Sequence, residues 1–127
     1  MLAHITIENI AVIESAQVEF YDGLNVLTGE TGAGKSIIID SIGMVLGQRT
    51  SRDLIRSGKT KARVSALFYP NDATWALLEK LGVERSEDSS LLIFREISQD
   101  GRGNCKINGV LTPISTLKEV GKFLINI

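Results

Sequence analysis

Cysteine, histidine and long apolar runs are scarce or missing in this sequence, and each shortage removes a class of function. Cys105 is the one cysteine among 127 residues, so no internal disulfide can staple the chain. His4 is the one histidine, which leaves no cluster of ligands for a zinc site, and both residues read as structural. No apolar stretch approaches the roughly 20 residues of a membrane-spanning helix. The opening MLAHITIENI has neither a basic segment ahead of an apolar core nor a small-residue cleavage site, which argues against secretion and points to a cytoplasmic address. The net charge of −1 removes the broad basic footprint of a protein that binds nucleic acid through its bulk surface.

What is present is ordinary for one folded unit: 43% apolar and 23% charged residues, at a length that supports a single core. The charge is uneven, however. The stretch from Gln48 to Arg63 carries Arg49, Arg52, Arg56, Lys59, Lys61 and Arg63 against Asp53 alone, a run that on composition reads as a solvated face.

Hydrophobic periodicity divides the chain. Ile5 and Ile7 alternate with polar neighbours, as do Val18 and Phe20, the mark of half-buried strands. Asp22-Gly23 signals a turn, and the apolar run Leu24 to Leu27 reads as a buried strand feeding a glycine-rich stretch. From Ser36 the period changes: Ile38, Ile42, Val45 and Leu46 recur at helical spacing, which predicts a helix from Ser36 to Leu46 stopped by Gly47. KARVSALFY reads as a strand, and Asn71 or Asp72 caps a helix with Trp75, Leu78 and Leu81 on one face before Gly82. SLLIFREI and GNCKINGV are strand-like, joined by the hairpin signal SQDGR, with a second turn at Asn108-Gly109. Thr112 and Pro113 read as the N-cap and first residue of a last helix with Ile114, Leu117 and Val120 inward. The closing KFLINI stops in mid-pattern, as though the chain continued.

The stretch GETGAGKS, Gly29 to Ser36, matches G-x-x-x-x-G-K-[ST]. Glycines admit the left-handed backbone angles that turn successive N–H groups inward, at the positive end of the following helix. Gly29, Glu30, Thr31, Gly32, Ala33, Gly34, Lys35 and Ser36 are therefore the predicted phosphate-binding residues. Lys35 supplies a positive charge for the β- and γ-phosphates of ATP, and the Ser36 hydroxyl is the predicted Mg²⁺ ligand. Hydrolysis needs more: an acidic residue ending a neighbouring apolar strand and a group that orients water. The nearest match, SIIID ending at Asp40, lies inside the helix that must follow the cradle. Asp40 stands one turn after Ser36, where a helix-surface role or a place near the metal are both open. No catalytic residue is assigned.

The segment ITIENIAVIESAQVEFYDGLNVLTGETGAGKSIIIDSIGMVLGQR resembles the opening of ATPase heads of the structural-maintenance-of-chromosomes (SMC) class, within the ABC-type ATPases. Glu30-Thr31 and the IIIDSI that follows are similar to a bacterial DNA-repair branch of that class, and the likeness continues through DLIRSGKTKARVSALF and INGVLTPISTLKEVGKFLINI. The resemblance implies an α/β P-loop NTPase fold: the N-terminal lobe of a split head, over residues 1–127, with an antiparallel strand layer. It implies that a C-terminal lobe and coiled coil lie elsewhere, that a His-Gly-Gln segment follows this sequence, and that ATP is sandwiched with a second head while DNA is handled in double-strand-break repair. Arg49 and Arg52 fall where the class carries an arginine loop and become candidates for contact with nucleotide or DNA. Asn9 to Ile13 and Arg63 fall where the class holds base and ribose.

The expected function is thus ATP binding within an ATPase of cytoplasmic, nucleoid-associated DNA repair, the 127-residue sequence by itself binding nucleotide without turning it over. A small nucleotide or metabolite kinase also opens with strand, cradle and helix, but two hairpin signals after Tyr69 leave little room for an acceptor site and lid. A non-catalytic module with an unpaired strand edge is the third reading.

Overall fold

The computed structural model describes the backbone of residues 2–20 and 32–124, with the side chains of 2–20 and 36–124. Six strands, β1 (Leu2–Ile10), β2 (Ile13–Glu19), β3 (Lys61–Phe68), β4 (Leu91–Ser98), β5 (Gly103–Ile107) and β6 (Val110–Thr112), form one sheet in the order β2-β1-β3-β4-β5-β6. Every pairing in it is antiparallel. Three helices join them: α1 (Gly32–Val45), α2 (Asp72–Lys80) and α3 (Ile114–Leu124). The predicted strand at Leu24 to Leu27 lies outside the described residues.

Alternation decides which side of the sheet is covered. Ile5, Ile7 and Ile10 of β1, Ala62, Val64, Ala66 and Phe68 of β3, Leu91, Ile93 and Ile97 of β4, and Cys105 and Ile107 of β5 are all buried. Register aligns them in rows, Ile5 beside Ala66, Ala66 beside Ile93 and Ile93 beside Ile107. Burying each of these larger side chains contributes about 1.5–3 kcal/mol, so a one-residue slip would be heavily penalised.

The opposite face is polar where it is most crowded. There Arg63 donates to Glu8 on β1 and to Glu96 on β4, both at 2.7 Å, and Lys61 stands 3.9 Å from Glu96.

Local signals account for the helix ends. Asn71 caps α2, its side chain accepting from the Thr74 N–H at 2.8 Å, and Gly82 ends it at φ +89°. The Asn108-Gly109 turn has φ of 49° and 82°, the double left-handed geometry of a two-residue hairpin. Gly47, at φ +85°, closes α1: its N–H donates to the Met44 carbonyl while the Gln48 N–H donates to that of Gly43, a Schellman ending.

Three expectations shift. α1 begins at Gly32 rather than Ser36, because glycine costs only about 1 kcal/mol per helical position and does not forbid it. Its buried side is Ile37, Ser41, Met44 and Val45, with Ile38 and Ile42 half-buried and Ile39 exposed, a rotation of about one residue from the predicted stripe. A helix apolar nearly all round carries no pattern that fixes its rotation. Thr112 does not cap α3: it ends β6 with its hydroxyl donating to the Val110 carbonyl, the helix begins at Ile114, and Ile114 itself is exposed while Leu117 and Val120 are buried.

The helices meet at close quarters where α1 ends. A methyl group at Gly121 of α3 would collide with the Leu46 carbonyl oxygen, and one at Gly47 would lie 2.9 Å from the Lys118 backbone. Gly121→Ala is therefore expected to lower stability by about 2 kcal/mol through overpacking. Urea unfolding checks it, with Ser115→Ala on the exposed side of α3 as the unperturbed control.

Candidate phosphate-binding site

The candidate cradle stands at the start of α1. Gly29, Glu30 and Thr31 lie outside the described residues, while Gly32, Ala33, Gly34 and Lys35 form the first turn of the helix. The N–H groups of the first three residues of an α-helix have no partner within it, and here those three belong to Gly32, Ala33 and Gly34. No acidic side chain occupies that turn. The donor set and the positive end of the helix dipole therefore fit a phosphate group. Ser36 follows as an exposed side chain, and Asp40 is exposed one turn later. Among the described residues no group of three or more His, Cys, Asp or Glu side chains is arranged to hold a metal.

Those amides can be held in place only if α1 is fixed to the sheet. Arg95 does this from β4. It lies between Val64 and Cys105 in an otherwise apolar row, and its Nη1 donates to the Met44 carbonyl at 2.9 Å and the Gln48 carbonyl at 2.7 Å. The cation thus meets the negative end of the helix dipole, sharing the Met44 carbonyl with the Gly47 N–H and taking the Gln48 carbonyl just past the helix. Burial pulls the Arg95 guanidinium below its usual pKa, and the same burial pushes the neighbouring Cys105 thiol up, making it a poor nucleophile. The role of Arg95 was not foreseen from sequence, although its position was readable: Leu91, Ile93, Arg95 and Ile97 alternate, so the arginine shares the inward parity of three buried residues.

The basic run is divided among several tasks. Arg49 is exposed, and Arg52 opens a 3-10 turn (Arg52–Leu54) capped by Ser51, with its Nη1 donating to the Gln99 carbonyl at 3.0 Å. Arg56 ties the segment to the β1–β2 hairpin: its N–H donates to the Asn9 carbonyl at 2.8 Å, its Nη1 to the Ala11 carbonyl at 3.3 Å, and Ile55 bridges Ile10. Asn9 and Ala11 both have positive φ, 58° and 49°, and Val12 at the turn is 73% exposed. Arg63 is already engaged. Its bonds to Glu8 and then Glu96 raise its pKa and engage Nε and Nη1 of the guanidinium that the family resemblance associates with a ribose or base.

A family model described as an AAA domain matches residues 4–118. The chain is 42% identical over its whole length to the DNA repair protein RecN of Halalkalibacterium halodurans and to that of Bacillus subtilis, spanning 23% and 22% of those proteins. Among solved structures, an SMC ATPase studied for ATP-driven dimerization and DNA-stimulated activation superposes with a TM-score of 0.76 at 24% identity, over 98% of this chain and 79% of that one. An SMC head of Pyrococcus furiosus, bound to the C-terminal domain of ScpA, gives 0.77 at 22% identity over 96% and 32%. These likenesses agree on an α/β P-loop ATPase fold with an antiparallel sheet.

Arg95→Leu is expected to destabilise the fold by about 2 kcal/mol, since charge-assisted bonds to the Met44 and Gln48 carbonyls are lost. Equilibrium urea denaturation measures this, and Arg49→Ala, an exposed side chain in the same region, should leave the midpoint unchanged.

Proposed function

The chain belongs to the AAA domain family, as an N-terminal ATPase lobe of RecN type, and on that premise we propose that it binds the triphosphate of ATP at Gly29 to Ser36 in an ATPase of DNA double-strand-break repair. What supports it is the run of N–H groups from Gly32 to Gly34, which have no partner within α1, at the head of a helix whose other end is clamped to the sheet. In this proposal Gly29, Glu30, Thr31, Gly32, Ala33 and Gly34 line the loop, Lys35 faces the β- and γ-phosphates, and Ser36 holds Mg²⁺, which when bound neutralises charge on those oxygens.

The chain spans less than a quarter of the length of the curated relatives it matches, so the remaining parts of the reading concern a larger protein. A C-terminal head lobe, a second head of the same protein and DNA are the proposed partners. The acidic group and water-orienting residue that hydrolysis requires would come from that lobe and head. Residues 1–127 form the N-lobe in this reading, and Arg49 and Arg52 are proposed contacts for nucleotide or DNA phosphates, either of which suits the planar donor fork of arginine. A cytoplasmic, nucleoid-associated setting accords with these partners. No helix among the described residues is long and apolar enough to cross a membrane. The kinase alternative is not favoured by relatives that are DNA repair proteins.

Lys35→Ala should abolish binding of a fluorescent ATP analogue, read by anisotropy, without lowering the thermal midpoint. Unchanged affinity would reject the role assigned to Lys35. The 127-residue chain with ATP and Mg²⁺ should release phosphate no faster than a blank; sustained turnover would contradict the division of labour between lobes.

A further inference from the structure

We propose that a cavity beside the C-terminal end of α1 is a docking site for an extended segment of a partner protein that alternates acidic and apolar side chains. The cavity encloses about 660 Å³ and is built from three separate pieces of chain: Thr50 to Arg52 after α1, the β4–β5 hairpin, and the β6–α3 junction from Leu111 to Ile114. That volume lies within the roughly 300–1,000 Å³ usual for ligand sites. Some 20 Å of helix separates the two ends of α1, so the cavity adjoins the opposite end from the proposed phosphate cradle.

Its electrostatics are one-sided. Among the described residues Arg63 and Arg85 have carboxylate partners, whereas Arg52, Arg95 and Arg102, all three lining the cavity, have none. Arg95 spends only Nη1 on main-chain carbonyls, and its Nε and Nη2 make no hydrogen bond within the described chain. Arg102 donates only its main-chain N–H, to Asp100. The acids at the cavity are already engaged: Glu96, which itself lines it, accepts from Arg63 and Asn104, and Asp100 accepts from the Ser98 hydroxyl and the Arg102 N–H within its own turn. The Thr50 hydroxyl, which also lines the cavity, is buried without a hydrogen-bond partner. Three cations and an unsatisfied hydroxyl around one cavity call for an anion that brings acceptors.

The walls decide what carries that anion. Ile97 and Cys105 are buried at the cavity, and Leu111 and Ile114 line its rim at 68% and 41% exposure, next to Val110 at 66%. A bare phosphate or phosphodiester would satisfy the arginines and leave this apolar rim in water, whereas an acidic peptide with apolar neighbours covers both. Among the described residues β6 is also an edge strand, and Leu111, between the hydrogen-bonded pairs Ile107–Val110 and Cys105–Thr112, turns its N–H and C=O to the side away from β5. That gives an extended segment a main-chain partner beside the cavity.

The test uses the protein at its native length and a fluorescein-labelled peptide of alternating leucine and aspartate. Anisotropy should show binding that falls by about tenfold or more when asparagine replaces aspartate, and likewise in Arg102→Glu and in Leu111→Ser. Both variants should keep the thermal midpoint and the affinity for an ATP analogue, which separates this site from the nucleotide reading. Failure of the peptide to bind at millimolar concentration, or binding indifferent to both substitutions, overturns the proposal. A short single-stranded oligonucleotide that displaces the peptide and depends on Arg102 but not on Leu111 would overturn it in favour of nucleic acid.

Discussion

The contact on which the rest of this structure depends is the reach of Arg95 from the middle of a strand to the Met44 carbonyl near the end of α1 and the Gln48 carbonyl just beyond it. A helix that presents its first amides to a ligand is useful only if its axis cannot drift, because phosphate recognition by N–H groups is short-ranged and directional. Here one end of the helix is held three ways. The guanidinium binds two carbonyls, the left-handed Gly47 completes a Schellman ending, and Gly121 of α3 lets the Leu46 carbonyl approach closer than any side chain would allow. Removing any of the three loosens the same joint, so their effects are expected to couple rather than add.

That arrangement also explains the distribution of charge. The buried inward positions of β1, β3, β4 and β5 are apolar, and Arg95 stands among them, where burial would penalise it without the carbonyls it meets. Outward positions hold the Glu8, Arg63 and Glu96 ladder, where two carboxylates flank one guanidinium across three strands. The remaining arginines of the segment after α1 are left to solvent, main-chain carbonyls and one cavity. The basic run is thus less a uniform patch than a set of residues with different employment, and net charge alone could not reveal it.

Much of the fold was legible in the sequence where local chemistry suffices. The Asn71 cap, the Gly82 stop, the Asn108-Gly109 hairpin and the alternating strands all follow from residue type and spacing, and the structure places them as expected. The rotation of α1 was not legible, because Ile37, Ile38 and Ile39 offer apolar surface in three directions and only the sheet selects among them. Thr112 misled because a Thr-Pro pair before an apolar run resembles a helix start, yet pairing with Cys105 holds the threonine in the sheet. The phosphate motif was readable as text, but the clamp that steadies its helix came from a strand some fifty residues later, a distance that periodicity cannot bridge. Arg63 shows what local chemistry adds: at a position that family likeness associates with a nucleotide, the guanidinium bonds Glu8 and Glu96.

The central claim is that the main-chain amides opening α1 bind a polyphosphate. Amide chemical shifts of Gly32, Ala33 and Gly34, followed while the protein is titrated in turn with ATP, inorganic triphosphate and adenosine, test it most directly. These three resonances are expected to move far with ATP and with triphosphate, and little with adenosine. Shifts that follow adenosine equally well, or that leave these amides untouched while ATP binds elsewhere, would contradict the claim.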